Sequence, residues 1–202
     1  MLHYDAIPEP VKVLLGRVAP LAAARGFALG GGTSLALRLG HRISVDLDWF
    51  TTDPFSPDVL AEDPALEGVT ILGKAPGSLS MDCGGVKIDW LRHAYPLLQP
   101  GETLDEIALL ALPDVAAMKL NAIANRGAKK DFYDVAELLA VHPLEKLLDW
   151  FSARYRNSDP FAVIRSLAWF EDAEPEPDPV SLRGLSWNEV KEQVRLALSE
   201  LA

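Results

Sequence analysis

The chain has 202 residues, 49% of them hydrophobic and 24% charged, a globular balance that excludes a disordered chain or a fibre. Lys and Arg number 19 against 29 Asp and Glu, a net charge of −10, so the surface as a whole does not steer toward nucleic acid, although a local basic patch would still bind one. The single cysteine, Cys83, excludes an internal disulfide and a cysteine-built zinc site. No apolar run approaches the roughly 20 residues that span a bilayer. The segment 1–10, with Asp5 and Glu9, does not read as a leader peptide. A cytoplasmic protein with no membrane partner is expected.

In chain order, the apolar stripe Val11, Leu14, Leu15, Val18, Leu21 predicts a helix over 8–25. Gly26 stands where it would cap that helix, and Pro20 is placed to kink or divide it. Phe27 to Gly30 reads as a short strand, Gly30-Gly31-Gly32 as a tight turn and Thr33 to Gly40 as a short helix. Val45 to Phe50 alternates with period 2 and reads as a strand. Ser56 and Pro57 fit the cap and first position of a small helix. Strands are predicted over 69–74, 78–83 and 86–92, the last two joined by Gly84-Gly85, and a further one over 107–110. From Pro113 the period becomes helical, with helices over 113–127, 129–141, 143–155 and 160–170, and a last one opened by the capping box Ser186-Trp187-Asn188-Glu189. The acidic, proline-rich stretch Glu171 to Val180 reads as a solvated loop. The class is α+β, with an α/β core over 1–112 and a helical half over 113–202 packed on it.

Three features carry candidate chemistry. Glycines at the strand-to-helix turn 30–32 let a phosphate approach the N–H groups at a helix N-terminus, with hydroxyls at Thr33 and Ser34 as further donors. Asp46 and Asp48 alternate along a strand and so share a face, with Val45, Leu47 and Trp49 turned to the core. Two like charges side by side want a cation between them, and hard oxygen ligands suit Mg²⁺ or Mn²⁺. An isolated Asp-x-Asp reads more readily as two hydrated carboxylates on a solvent-facing edge strand, because such pairs are frequent on surfaces. In Val86 to Leu91, Lys87, Asp89 and Leu91 face one side, so Asp89 becomes a third carboxylate if this strand lies beside the first. Three carboxylates opposite a phosphate-cradling turn make the layout of two-metal phosphoryl chemistry.

Gly31-Gly32-Thr33, a separation of 13 from Thr33 to Asp46, and Asp46-Leu47-Asp48 resemble the signature of the polymerase-β-like nucleotidyltransferases. The longer run GGTSLALRLGHRISVDLDWF, with DVAAMKLNAIANRGAKKDFYDVAELL, resembles the AbiEii/AbiGii family of nucleotidyltransferase toxins. The resemblance covers about 27–139 and implies a minimal nucleotidyltransferase sheet with flanking helices. It implies transfer of NMP from an NTP to an acceptor hydroxyl, a tRNA or other RNA 3′ end, with a divalent metal on Asp46, Asp48 and Asp89, and a cognate antitoxin. In its second block, Lys119 would contact the triphosphate with Arg126 and Lys129 or Lys130 adding positive charge, and Asp131 would orient the lysine. Read as residues alone, Lys119 and Arg126 are seven apart on one helix face, and Lys130–Asp134 is an i,i+4 pair of the kind that decorates helix surfaces. Arg38, His41 and Arg42 are as well placed in a solvated loop as near a phosphate. A small-molecule or protein acceptor, and a non-catalytic nucleotide-binding protein of the same fold, remain open alternatives.

Overall fold

The computed structural model describes residues 1–201, which divide into two compact units. The first comprises Met1–Gly40, Ser44–Pro96 and Pro100–Ala111; the second comprises His41–Ile43, Leu97–Gln99 and the remainder from Leu112 on. No helix among the described residues is long and apolar enough to cross a membrane.

The first unit carries helices α1 (Glu9–Ala24), α2 (Gly31–Leu39) and α3 (Pro57–Ala61) and strands β1 (Ala28–Leu29), β2 (Leu47–Thr51), β3 (Thr70–Ala75), β4 (Ser78–Cys83), β5 (Val86–Arg92), β6 (Glu102–Leu104) and β7 (Ile107–Leu109). They form one mixed sheet in the order β3-β4-β5-β2-β1-β7-β6. β2 runs parallel to β5, β1 runs parallel to β7, and the remaining pairs are antiparallel. The two-residue loop Gly84-Gly85 takes positive φ at both positions, the geometry that matches the twist of a hairpin. Leu47, Trp49, Ile88 and Trp90 are fully buried on one sheet face, packed with Val11, Leu14, Leu15 and Val18 of α1. Trp49 stacks on Trp90 at 5.7 Å, as their side-by-side register requires.

Two local expectations are corrected here, and one strand is added. Pro20 neither ends nor divides α1, which runs on to Ala24. β2 begins at Leu47, so Val45 lies outside the sheet and is exposed rather than turned to the core, while Asp46 directly precedes the strand. β6 was invisible to pattern reading because three residues carry no period; its hairpin to β7 turns through Asp105 and Glu106, both at positive φ without a glycine to mark them.

The second unit contains α4 (Leu112–Asn125), α5 (Lys129–Leu139), α6 (Leu144–Arg154), α7 (Pro160–Leu167) and α8 (Trp187–Ser199). α4 packs on α5, α6 and α7, and α5 packs on α8. The predicted capping box is formed: Ser186 Oγ accepts from Glu189 N, and Glu189 accepts from Ser186 N. Phe132, Phe170 and Trp187 form an aromatic cluster, whereas Trp169 beside it in sequence is exposed and not a core residue. Residues 41–43 belong to this unit because they pair with the segment around Ser181: Ile43 N donates to Val180 O and Leu182 N to His41 O. The acidic loop is also docked, not merely solvated. Buried Lys129 donates from its backbone to Glu176 Oε2 and from Nζ to the Glu174 and Glu176 carbonyls and Asp178 Oδ1.

Candidate active site

Gly30 ends β1 with its N–H donated to Asp48 O at 2.9 Å and serves as the N-cap of α2. α2 therefore starts two residues earlier than expected, and its first-turn N–H groups belong to Gly31, Gly32 and Thr33, the donors that a helix leaves without partners of its own. Gly31 sits at φ +62°, and a Cβ built there would fall 2.2 Å from Asp48 Oδ2. Only glycine lets this backbone pass so close to that carboxylate. The Thr33 hydroxyl contacts both the Asp46 carbonyl and, at 2.8 Å, Ser44 Oγ. A carbonyl can only accept, so Thr33 donates to Asp46 O and receives the Ser44 proton. Thr33 thus ties the start of α2 to the chain entering β2, which gives the spacing between the glycine turn and the aspartates a physical cause. Ser34 is fully buried, and its hydroxyl has no hydrogen-bond partner among the described residues.

Asp48 and Asp89 are direct register partners on the parallel strands β2 and β5. Neighbouring strands lie about 4.8 Å apart, so the two carboxylates project side by side from one sheet face. Their chain neighbours Leu47, Trp49, Ile88 and Trp90 fill the opposite face, which fixes the direction of both aspartates. Lys87, on the same face of β5, places Nζ 2.6 Å from Asp89 Oδ2. Its pKa is raised by that hydrogen bond, against partial burial, with further support from the charges of Asp89, Asp48 and Asp46. Of the three carboxylates, Asp89 is the one in direct contact with this cation. Among the described residues no three His, Cys, Asp or Glu side chains converge closely enough to hold a metal ion. The donors nevertheless fit a divalent ion in kind: hard oxygens on one face, already facing a side-chain cation, beside a backbone cradle that a Cβ would fill.

In the second unit the residues of the other sequence block meet in a buried ionic cluster. Lys119, only 4% exposed, lies 3.0 Å from Asp131 Oδ1 and 2.6 Å from Asp134 Oδ2. Arg126 grips Asp131 with Nε and Nη2 at 2.8 and 3.0 Å. Arg42 does the same to Asp134 at 2.7 and 2.9 Å, and His41 Nε2 adds a contact to Asp134 at 2.8 Å. Burial alone would raise the pKa of Asp134, but the Lys119 and Arg42 charges and the His41 and Arg42 hydrogen bonds hold it well below the usual range. Burial likewise acts to depress Lys119 and is outweighed by Asp134 and Asp131, leaving it raised. Two expectations change. Asp134 is not half of an exposed Lys130 pair but a fully buried hub, and His41 and Arg42 are not in a solvated loop. The local sequence carried no signal for this: four residues after Lys130, Asp134 falls by spacing on that lysine's face, and its cationic partners at 41–42 are distant in sequence. Of Lys129 and Lys130, the first is committed to the acidic loop. The helical unit also holds a cavity of about 520 Å³ whose lining includes Arg126, Arg165 and Trp169 and none of Asp46, Asp48 and Asp89.

A family model described as "Nucleotidyl transferase AbiEii toxin, Type IV TA system" matches residues 13–69 and 67–200. An uncharacterized protein of Aquifex aeolicus is 37% identical over 169 residues, which span 80% of this chain and 82% of that protein. Among solved structures, JHP933 from Helicobacter pylori superposes with a TM-score of 0.60 at 16% identity, covering 100% of this chain and 95% of that one. MenT4, a nucleotidyltransferase toxin from Mycobacterium tuberculosis, superposes with a TM-score of 0.66 at 17% identity, covering 95% of this chain and 82% of that one. At such identities the two structures establish a common fold.

Proposed function

The chain belongs to the AbiEii family of nucleotidyl transferase toxins, and from that membership we propose that its sheet unit transfers a nucleoside monophosphate from an NTP to an acceptor hydroxyl. The observation that carries the proposal is the register of Asp48 with Asp89 beside a Gly31 backbone on which a Cβ would displace the Asp48 carboxylate. The N–H groups of Gly31, Gly32 and Thr33 receive phosphate oxygens at the positive end of α2. Thr33 holds the chain at Asp46 in place, and Asp46, Asp48 and Asp89 offer hard oxygens to Mg²⁺ or Mn²⁺. When bound, the divalent ion supplies Lewis-acid polarisation of the phosphate and a lowered pKa for the attacking hydroxyl. The acceptor oxygen forms a bond to the α-phosphorus, the bond to the β-phosphate oxygen breaks, and pyrophosphate leaves. In the helical unit, Lys119 and Arg126 are proposed to contribute positive charge to the same reaction, with Asp131 orienting both.

The proposed acceptor is an RNA 3′ end, with tRNA the first candidate, and a cognate antitoxin is the proposed protein partner. The net charge of −10 favours a second reading, in which the acceptor is a small-molecule or protein hydroxyl that needs no extended basic footprint. Incubation with α-labelled NTPs, Mg²⁺ and total bacterial RNA separates the two. Label in a discrete RNA band supports the first; label that appears only when RNA is replaced by a protein or metabolite extract supports the second. Pyrophosphate release in none of them would refute both.

A further inference from the structure

Lys87 has no part in the reaction proposed above, yet its ammonium pairs with one of the carboxylates proposed there as a metal ligand. It lies 2.6 Å from Asp89 Oδ2, and Asp48 is the register partner of Asp89 on the adjoining strand. Lys87 and Asp89 are two positions apart on β5 and share its outward face. Their cross-strand neighbours on β4 are Asp82 and Ser80, neither of which is a cation. Carboxylates gathered on one face repel unless a positive charge joins them. The Lys87 side chain is 47% exposed, so its stem is not locked by packing and can turn into solvent without opening the core. An ammonium brings one charge to about 2.7–2.9 Å from an oxygen, whereas Mg²⁺ brings two charges to about 2.0–2.1 Å. A lysine so placed can keep such a site neutralised and still give way to a divalent ion.

Resting on the reading of Asp46, Asp48 and Asp89 as metal ligands, we propose that Lys87 is the resident counter-ion of the aspartate site. Its ammonium holds Asp89 in the metal-free protein and is exchanged out when a divalent cation binds. Metal affinity is thereby set below what the carboxylates alone would give, and the metal-free protein is kept from the cost of an uncompensated acidic cluster.

The test uses the whole chain and Mn²⁺ alone, without nucleotide, following free Mn²⁺ by electron paramagnetic resonance. Lys87→Met keeps the stem and removes the charge, Lys87→Arg keeps the charge, and Asp48→Asn reports whether the Mn²⁺ counted is held at this site. Lys87→Met is expected to bind Mn²⁺ about fivefold more tightly than the wild type, the factor equivalent to ~1 kcal/mol for an exposed ion pair. Lys87→Arg should stay within about twofold, and the metal-free melting temperature should fall in Lys87→Met and recover on adding Mn²⁺. Equal or weaker Mn²⁺ binding by Lys87→Met, with binding lost in Asp48→Asn, overturns the exchange and leaves the metal-site reading standing. Binding in Asp48→Asn equal to the wild type, or no binding by any of these proteins, overturns that reading and the exchange with it.

Discussion

Replacing Gly31 by alanine separates a backbone effect from a site effect at one position. The backbone cost comes from φ +62°, a region that an L-residue enters at about 1 kcal/mol. For a chain of this size that lowers the melting temperature by about 2–4 °C. The site cost is of another kind. The new Cβ would stand 2.2 Å from Asp48 Oδ2 and 3.0 Å from Asp48 Cγ, so the carboxylate has to move by about 1 Å to reach ordinary van der Waals contact. A displacement of that size at a reacting centre costs about 10²-fold in rate. The assay is pyrophosphate release from NTP, read beside thermal melting. Gly31→Asn is the companion variant: asparagine tolerates positive φ better, so it should regain part of the melting temperature while its Cβ leaves transfer as impaired as in Gly31→Ala. Near wild-type transfer by either variant would refute the claim that the Gly31 backbone and Asp48 form one site.

Further outcomes follow from the buried cluster and the docked loop. Lys119→Ala leaves the Asp131 and Asp134 carboxylates buried with a partner removed, so it should cost about 3–5 kcal/mol, not the 0–1 of a surface pair, and melting curves decide between these. The depressed Asp134 pKa stabilises the folded chain above its ordinary value of 3.8, and this contribution is lost as pH falls through 3.8 toward the folded-state pKa. Asp134→Asn should therefore melt well below the wild type at neutral pH, with the gap narrowing below about pH 4; a gap that is constant with pH would contradict the assignment. Lys129→Ala removes the contacts to Glu174, Glu176 and Asp178, so limited proteolysis should cut faster within 171–180, and an unchanged cleavage pattern would show that the loop is held by other means.

The sheet was legible wherever one face is buried. In β4 and β5 the alternation of apolar and polar residues marks the bounds, and Gly84-Gly85 marks the turn between them. Asp48 and Asp89 could each be turned away from the core because Leu47, Trp49, Ile88 and Trp90 claim it, but that β2 lies beside β5 was a condition the sequence left open. Spacing alone could not place Val45 and Asp46, because Thr33 and Ser44 hold that segment outside the sheet through contacts that no periodicity records. The buried role of Asp134 was hidden for a related reason. Its partners Arg42 and His41 lie about ninety positions away, and charged residues on an amphipathic helix ordinarily face water. Lys87 was seen to share a face with Asp89, but that it pairs with the carboxylate depends on side-chain geometry.

The account's central claim is that Asp48, in register with Asp89 and against the Gly31 backbone, belongs to a nucleotidyl transfer site. Pyrophosphate release by Asp48→Asn tests it most directly, because the readout does not depend on knowing the acceptor. The account predicts a loss of at least about 10²-fold at a melting temperature close to that of the wild type, since the half-buried carboxylate contributes to the reaction and not to the core. Pyrophosphate release at the wild-type rate by a folded Asp48→Asn protein would contradict it.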